Sequence, residues 1–173
     1  LMRFLLDGML GKLTRWLRIL GYDAEYSKNS SDNNLLSQAK DESRILLTSD
    51  TQLYRNAVSR NIDTLLMDSK SDSEKLANLA YRFHLNLKLD PMNSRCPICG
   101  SSIKPTSKDA IVHSVPPATF KVYQSFWVCT NVSCAKVYWQ GSHWKKIEET
   151  LRNASEILDR KQQQTQTRTV SLP

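Results

Sequence analysis

No stretch of this chain stays apolar for anything near the ~20 residues that crossing a bilayer requires, so no membrane partner is expected. A secretory leader is not read at the start either, because Asp7 interrupts the first apolar run and no small-residue cleavage site follows. The glycine-rich phosphate cradles are missing: there is neither a GxGxxG nor a P-loop, and no internal repeat beyond the βα units described below. Cysteine is confined to four residues in two close pairs. Without a leader, that pairing points to a reducing, cytoplasmic location and to a metal rather than disulfides. Acid is nearly missing from residues 91–147, which hold one Asp against seven Lys and Arg. That segment carries most of the net charge of +7, whereas residues 1–90 are close to balance with 13 basic and 12 acidic side chains. The excess favours an anionic partner.

What is present begins with Arg3-Phe4-Leu5-Leu6-Asp7-Gly8, an apolar strand that delivers a carboxylate to the point where the chain turns. Met9, Leu10, Leu13, Trp16, Leu17 and Leu20 then recur at helical spacing, with Gly21 placed for a left-handed cap. Lys12, Arg15 and Arg18 are expected on the outer face of that helix, either as a solvated surface or to steer phosphate. The pattern repeats twice. Arg44 to Asp50 and Ile62 to Asp68 each read as a strand ending in aspartate, and each is followed by an amphipathic helix. A further helix, capped by Ser31 or Asp32, precedes the second of these strands, and Ser71-x-x-Glu74 forms a capping box for the helix after the third.

Strands alternating with helices predict an α/β domain with a mainly parallel sheet. The strand ends of such a sheet share one edge, so Asp7, Asp50 and Asp68 could converge there, joined by Asp32 from a loop. Carboxylates held that close repel unless cations such as Mg²⁺ or Mn²⁺ neutralise them. Any one of these aspartates taken alone also fits a turn former or helix cap. Asp23, Asp63 and Asp72 read as solvated surface charges.

After a linker at Asp90-Pro91-Met92-Asn93-Ser94 come Cys96-x₂-Cys99 and Cys129-x₄-Cys134, the spacing of a closed Cys₄ zinc site in which each pair forms one turn. Zinc there would be structural, and would supply folding energy to a segment poor in aliphatics. Around the second pair, lysines interleave with Tyr138, Trp139 and Trp144. That pattern suits hairpin strands of a zinc ribbon, whose aromatics either stack on bases or build a small core. Lys145 and Lys146 are read as RNA contacts, while His143 reads more readily as structural once four cysteines complete the zinc set. Ile147, Leu151, Ala154 and Leu158 mark a last helix able to dock on either domain, and from Gln162 the low-complexity composition predicts disorder. The expected organisation is residues 1–90, an α/β domain; 91–147, a zinc ribbon; 148–161, a helix; and 162–173, a disordered tail.

Four stretches together resemble the Mut-seven C-terminal RNase family over about residues 2–147. They are the run from Phe4 to Asp23, then Leu47-Thr48-Ser49-Asp50, Arg95-Cys96-Pro97-x-Cys99, and Tyr138-Trp139-x-Gly141-Ser142-His143-Trp144. The resemblance implies a PIN-like nuclease domain fused to a zinc ribbon, acting on RNA with Mg²⁺ or Mn²⁺, with ribosomal or transfer RNA among the substrates to consider. It places the acidic motifs on Asp7, Asp32 and Asp50, with Asp68 as a fourth, and the zinc ligands on Cys96, Cys99, Cys129 and Cys134. Lys12, Arg15, Arg18, Trp139, His143, Lys145 and Lys146 are then the expected RNA contacts. The second cysteine pair departs from the family, with four intervening residues where two are expected. The competing readings are a non-catalytic RNA- or ribosome-binding protein that keeps the fold, and a zinc-stapled protein-interaction module.

Overall fold

Four short strands lie side by side and parallel in a computed structural model that describes residues 2–170, to the backbone alone over the last three. They are β1 (Arg3–Leu6), β2 (Asp23–Tyr26), β3 (Ile45–Thr48) and β4 (Thr64–Leu66), in the spatial order β2-β1-β3-β4. Three helices connect them: α1 (Gly11–Ile19), α2 (Asp32–Asp41) and α3 (Thr51–Ser59). Leu5 and Leu46 point from one sheet face into a core with Leu35, Leu36 and Ala39 of α2 and Leu53 and Ala57 of α3. Phe4, Leu6 and Leu47 point the other way by strand alternation and are equally buried, which is why these strands read as continuous apolar runs. Met9 is exposed, because α1 begins only at Gly11 and the preceding turn lifts it out of the expected apolar face.

The order β2-β1-β3-β4 makes the chain reverse direction across the sheet between β1 and β3. Their carboxyl ends therefore flank the topological switch point, where crossover loops part and leave a crevice. At the other end of the sheet the buried Arg44 guanidinium binds Asp23, Glu25 and Glu42 at 3.0, 3.2 and 2.6 Å. Asp23 is thus no solvated surface charge. Burial pushes its carboxyl up, but the hydrogen bond and charge of Arg44 outweigh that and hold it below its ordinary value.

Three antiparallel strands, β5 (Ile103–Thr106), β6 (Phe126–Cys129) and β7 (Val137–Trp139), form a second sheet in the order β5-β6-β7, with the short helix α5 (Pro117–Val122) between the first two. Its core is small: Ile111, Val115, Phe126 and Val137, with Phe120, Tyr123, Val128 and Trp139 packed around it. The segment read as a linker is pinned instead. Ser94 is buried, and its hydroxyl donates to the Ile19 carbonyl at 2.6 Å.

One compact unit holds the chain up to Met67 together with Asp90–Gly141; the other holds Asp68–Leu89 together with residues from Ser142 on. The second unit pairs α4 (Asp72–Phe83) with α6 (Ser142–Val170), and Ser73 donates to the Thr150 carbonyl while Tyr81 bonds Thr165. These units cut across the boundaries expected at 90 and 147. The expected disorder from Gln162 is also corrected as far as Val170: α6 begins at Ser142 and continues through the glutamine-rich stretch, since Gln, Arg and Lys are good helix formers once a helix is under way. Residues 171–173 of that expected tail lie outside the described residues.

Candidate active site and metal centre

Asp7 stands directly beyond β1 and is only 6% exposed. Its Oδ1 accepts the Met9 amide at 2.8 Å, and its Oδ2 accepts the Thr48 hydroxyl and the Ser49 amide, the latter at 3.1 Å. A carboxylate offers about four lone-pair sites, so three donors leave one open on Oδ1. The same Thr48 oxygen accepts the Asp50 amide at 2.9 Å, so one buried hydroxyl ties the ends of β1 and β3 together. Asp50 caps α3, its Oδ1 taking the Gln52 and Leu53 amides at 2.6 and 2.9 Å. Its side chain is exposed, and among the described residues nothing is bonded to Oδ2. Thr48 had no role in the sequence reading. Its one signal in the sequence is a hydroxyl at the end of an otherwise apolar strand, which alone names no partner.

Asp32 is the first residue of α2, exposed, just inside the Ser31 cap. Asp68 is exposed and opens the second compact unit. Among the described residues the aspartates are not drawn into a cluster of three or more; the four cysteines are, with all their sulfurs within 4.8 Å of one another.

Within that set Cys96 and Cys134 lie 3.7 Å apart and Cys99 and Cys129 3.4 Å. Tetrahedral Zn–S bonds of about 2.3 Å put sulfurs about 3.8 Å apart, so four soft donors at this spacing could hold zinc, and the cluster marks the second sheet as a zinc ribbon. The longer Cys129–Cys134 turn closes regularly, with the Cys134 and Ala135 amides both donating to the Asn131 carbonyl. Burial pushes the Cys99 thiol up, but hydrogen bonds from Ser101 and the neighbouring thiols outweigh it and bring it down to about 6. Cys129, by burial first, is pushed up to about 12. The Tyr138 hydroxyl lies 3.0 Å from Cys96 Sγ, where it would orient a ligating sulfur.

The expected RNA contacts divide. Lys12 and Arg15 are exposed on α1. Arg18 is not: only 8% exposed, it donates to the carbonyls of Ala24, Pro97 and Ile98, joining β2 to the first cysteine turn. Steps of three residues drift about 60° each around a helix, so by position 18 the row has rotated about 120° from Lys12, into the interior. Trp139 is half-buried against Phe126 in the ribbon core, ring centroids 6.5 Å apart. His143, Lys145 and Lys146 sit exposed at the start of α6 rather than on a ribbon strand.

A family model described as the Mut7-C RNAse domain matches residues 2–151. The chain belongs to the Mut7-C RNAse family. The matched span takes in the parallel sheet, the ribbon and the opening of α6, and a ribonuclease-like function and RNA as substrate follow from Mut7-C membership. Neither the curated proteins nor the solved structures gave a match. Among the described residues of this Mut7-C chain no helix is long and apolar enough to cross a membrane.

Proposed function

We propose that this chain is a metal-dependent ribonuclease that hydrolyses RNA phosphodiester bonds at the carboxyl ends of β1 and β3, with the zinc ribbon assisting RNA binding. The observation that carries the reading is the linkage of Asp7 and Asp50 through Thr48 at the switch point of the sheet. Mg²⁺ and the similar Mn²⁺ are held by one or two carboxylates, with waters and substrate phosphate completing the shell. The open lone pair of Asp7 and the Oδ2 of Asp50 fit that demand without a third acid close by. Such a cation supplies Lewis acidity and lowers the pKa of a bound water.

The chain's own residues do the rest. Three donors hold Asp7 in one orientation, and α3 holds Asp50 by its cap, so neither carboxylate reorganises when substrate arrives. Lys12 and Arg15 neutralise phosphate, and His143, Lys145 and Lys146 are further contacts for RNA. In hydrolysis the water oxygen bonds to phosphorus, the bond to the 3′ oxygen breaks, and a proton from water ends on that leaving oxygen.

Asp50→Asn tests this most cleanly, because asparagine caps helices as well as aspartate and only the charge is lost. With mixed RNA and Mn²⁺, kcat should fall at least about a hundredfold while thermal stability and RNA affinity hold. Cleavage by Asp50→Asn at the wild-type rate would overturn the reading. Salt-sensitive RNA binding by the wild type without metal-dependent cleavage would instead favour the non-catalytic alternative.

A further inference from the structure

A cleft of about 620 Å³ opens between α1 and the Cys96–Cys99 turn. Lys12 and Arg15, one turn apart on α1, stand on one side with Lys28 from the loop after β2. Pro97 and Ile98 form the other side, and Tyr26 lines the end nearest β1. None of the described side chains lining the cleft is acidic. Arg18, whose guanidinium is committed to three carbonyls, adds a fixed positive charge at the base and holds the cysteine turn in place.

We infer that this cleft is a track for the phosphate backbone of single-stranded RNA, gripped by Lys12, Arg15 and Lys28, with Ile98 as its far wall. The track leads to the strand ends. Tyr26 donates its hydroxyl to the Gly8 carbonyl at 3.0 Å, and Gly8 follows Asp7 directly. Gly8 also lies so close to the Lys28 carbonyl that a Cβ there would come within 2.7 Å, so the loop carrying Lys28 abuts the loop that leaves Asp7. The walls suit a single strand better than a small anion. Ile98 is 56% exposed and, with Pro97 and the Tyr26 ring, offers apolar surface to bases and sugars while the cations meet the phosphates. Lys28 and Ile98 have no place in the catalytic reading above, which this inference uses only to name the polymer.

The test is binding of a fluorescent oligouridylate to the zinc-loaded full chain, by anisotropy without added Mg²⁺ or Mn²⁺, so that cleavage does not enter. Lys12→Ala/Arg15→Ala/Lys28→Ala should weaken binding about a hundredfold at low salt and reduce the slope of log affinity against log salt by about 2, near 0.7 for each lost phosphate contact. Ile98→Asp, an exposed change that leaves the cysteines alone, should weaken it about tenfold through charge repulsion in the cleft. Lys40→Ala, at the far end of α2, should leave it unchanged. A triple variant with wild-type affinity and slope overturns the inference, as does equal affinity for duplex and single strand. If Asp50→Asn cuts normally while the triple variant fails to bind, the track stands and the catalytic reading falls.

Discussion

Thr48 is fully buried at the end of β3 and serves two partners with one hydroxyl, donating to Asp7 and accepting the Asp50 amide. Thr48→Val keeps the shape and removes both bonds, leaving the Asp50 amide without an acceptor. The expected cost is about 1–3 kcal/mol of stability in urea unfolding, with a loss of kcat that exceeds any change in RNA affinity. Asp7→Asn is a poorer probe than its Asp50 counterpart, because an amide NH₂ would face one or more of the donors that Asp7 now accepts. Asp7 and Asp50 were legible from sequence as the last residues of apolar runs. Their partner was not, because a threonine inside a strand is ordinary until the register of β1 against β3 is known.

The elements of the first sheet were legible because each strand is buried on both faces and each helix shows an apolar stripe. Periodicity says less about where a charged row ends: Lys12, Arg15 and Arg18 share a spacing of three, yet Arg18 turns inward. The ribbon's own core is small: four buried side chains, Ile111, Val115, Phe126 and Val137, with four partly buried ones around them and no leucine. Removing zinc with a chelator is therefore expected to release β5, β6 and β7 to rapid amide exchange, while β1 and β3, with Leu5 and Leu46 in a separate core, stay protected. Exchange followed by mass spectrometry checks it; equal protection of the ribbon with and without metal would show that its apolar core suffices. The cysteine turn anchored by Arg18 should loosen with it, and the Ile98 wall of the cleft with that turn.

At the scale of the molecule, each compact unit is assembled from two separated lengths of chain. Sequence alone left the docking of the last helix open, because Ile147, Leu151, Ala154 and Leu158 fit any apolar surface. In the second unit Leu151 and Ala154 are buried in α6, and Leu76, Ala77, Leu79 and Ala80 in α4. Leu151→Asp places a charge in that seam and should separate the two helices. Limited proteolysis is expected to cut first within 68–89 and beyond 142, with the first unit resisting longer; unchanged cleavage sites would refute the pairing.

The interleaved connectivity also sets an order of events during synthesis. The four parallel strands leave the ribosome before α4, and all of 84–141 must follow before the mate of α4 begins to appear. Through that interval α4 presents Leu76, Leu79 and Ala80 with no α6 to cover them, so a nascent chain arrested before Ser142 is expected to be the species that chaperones hold.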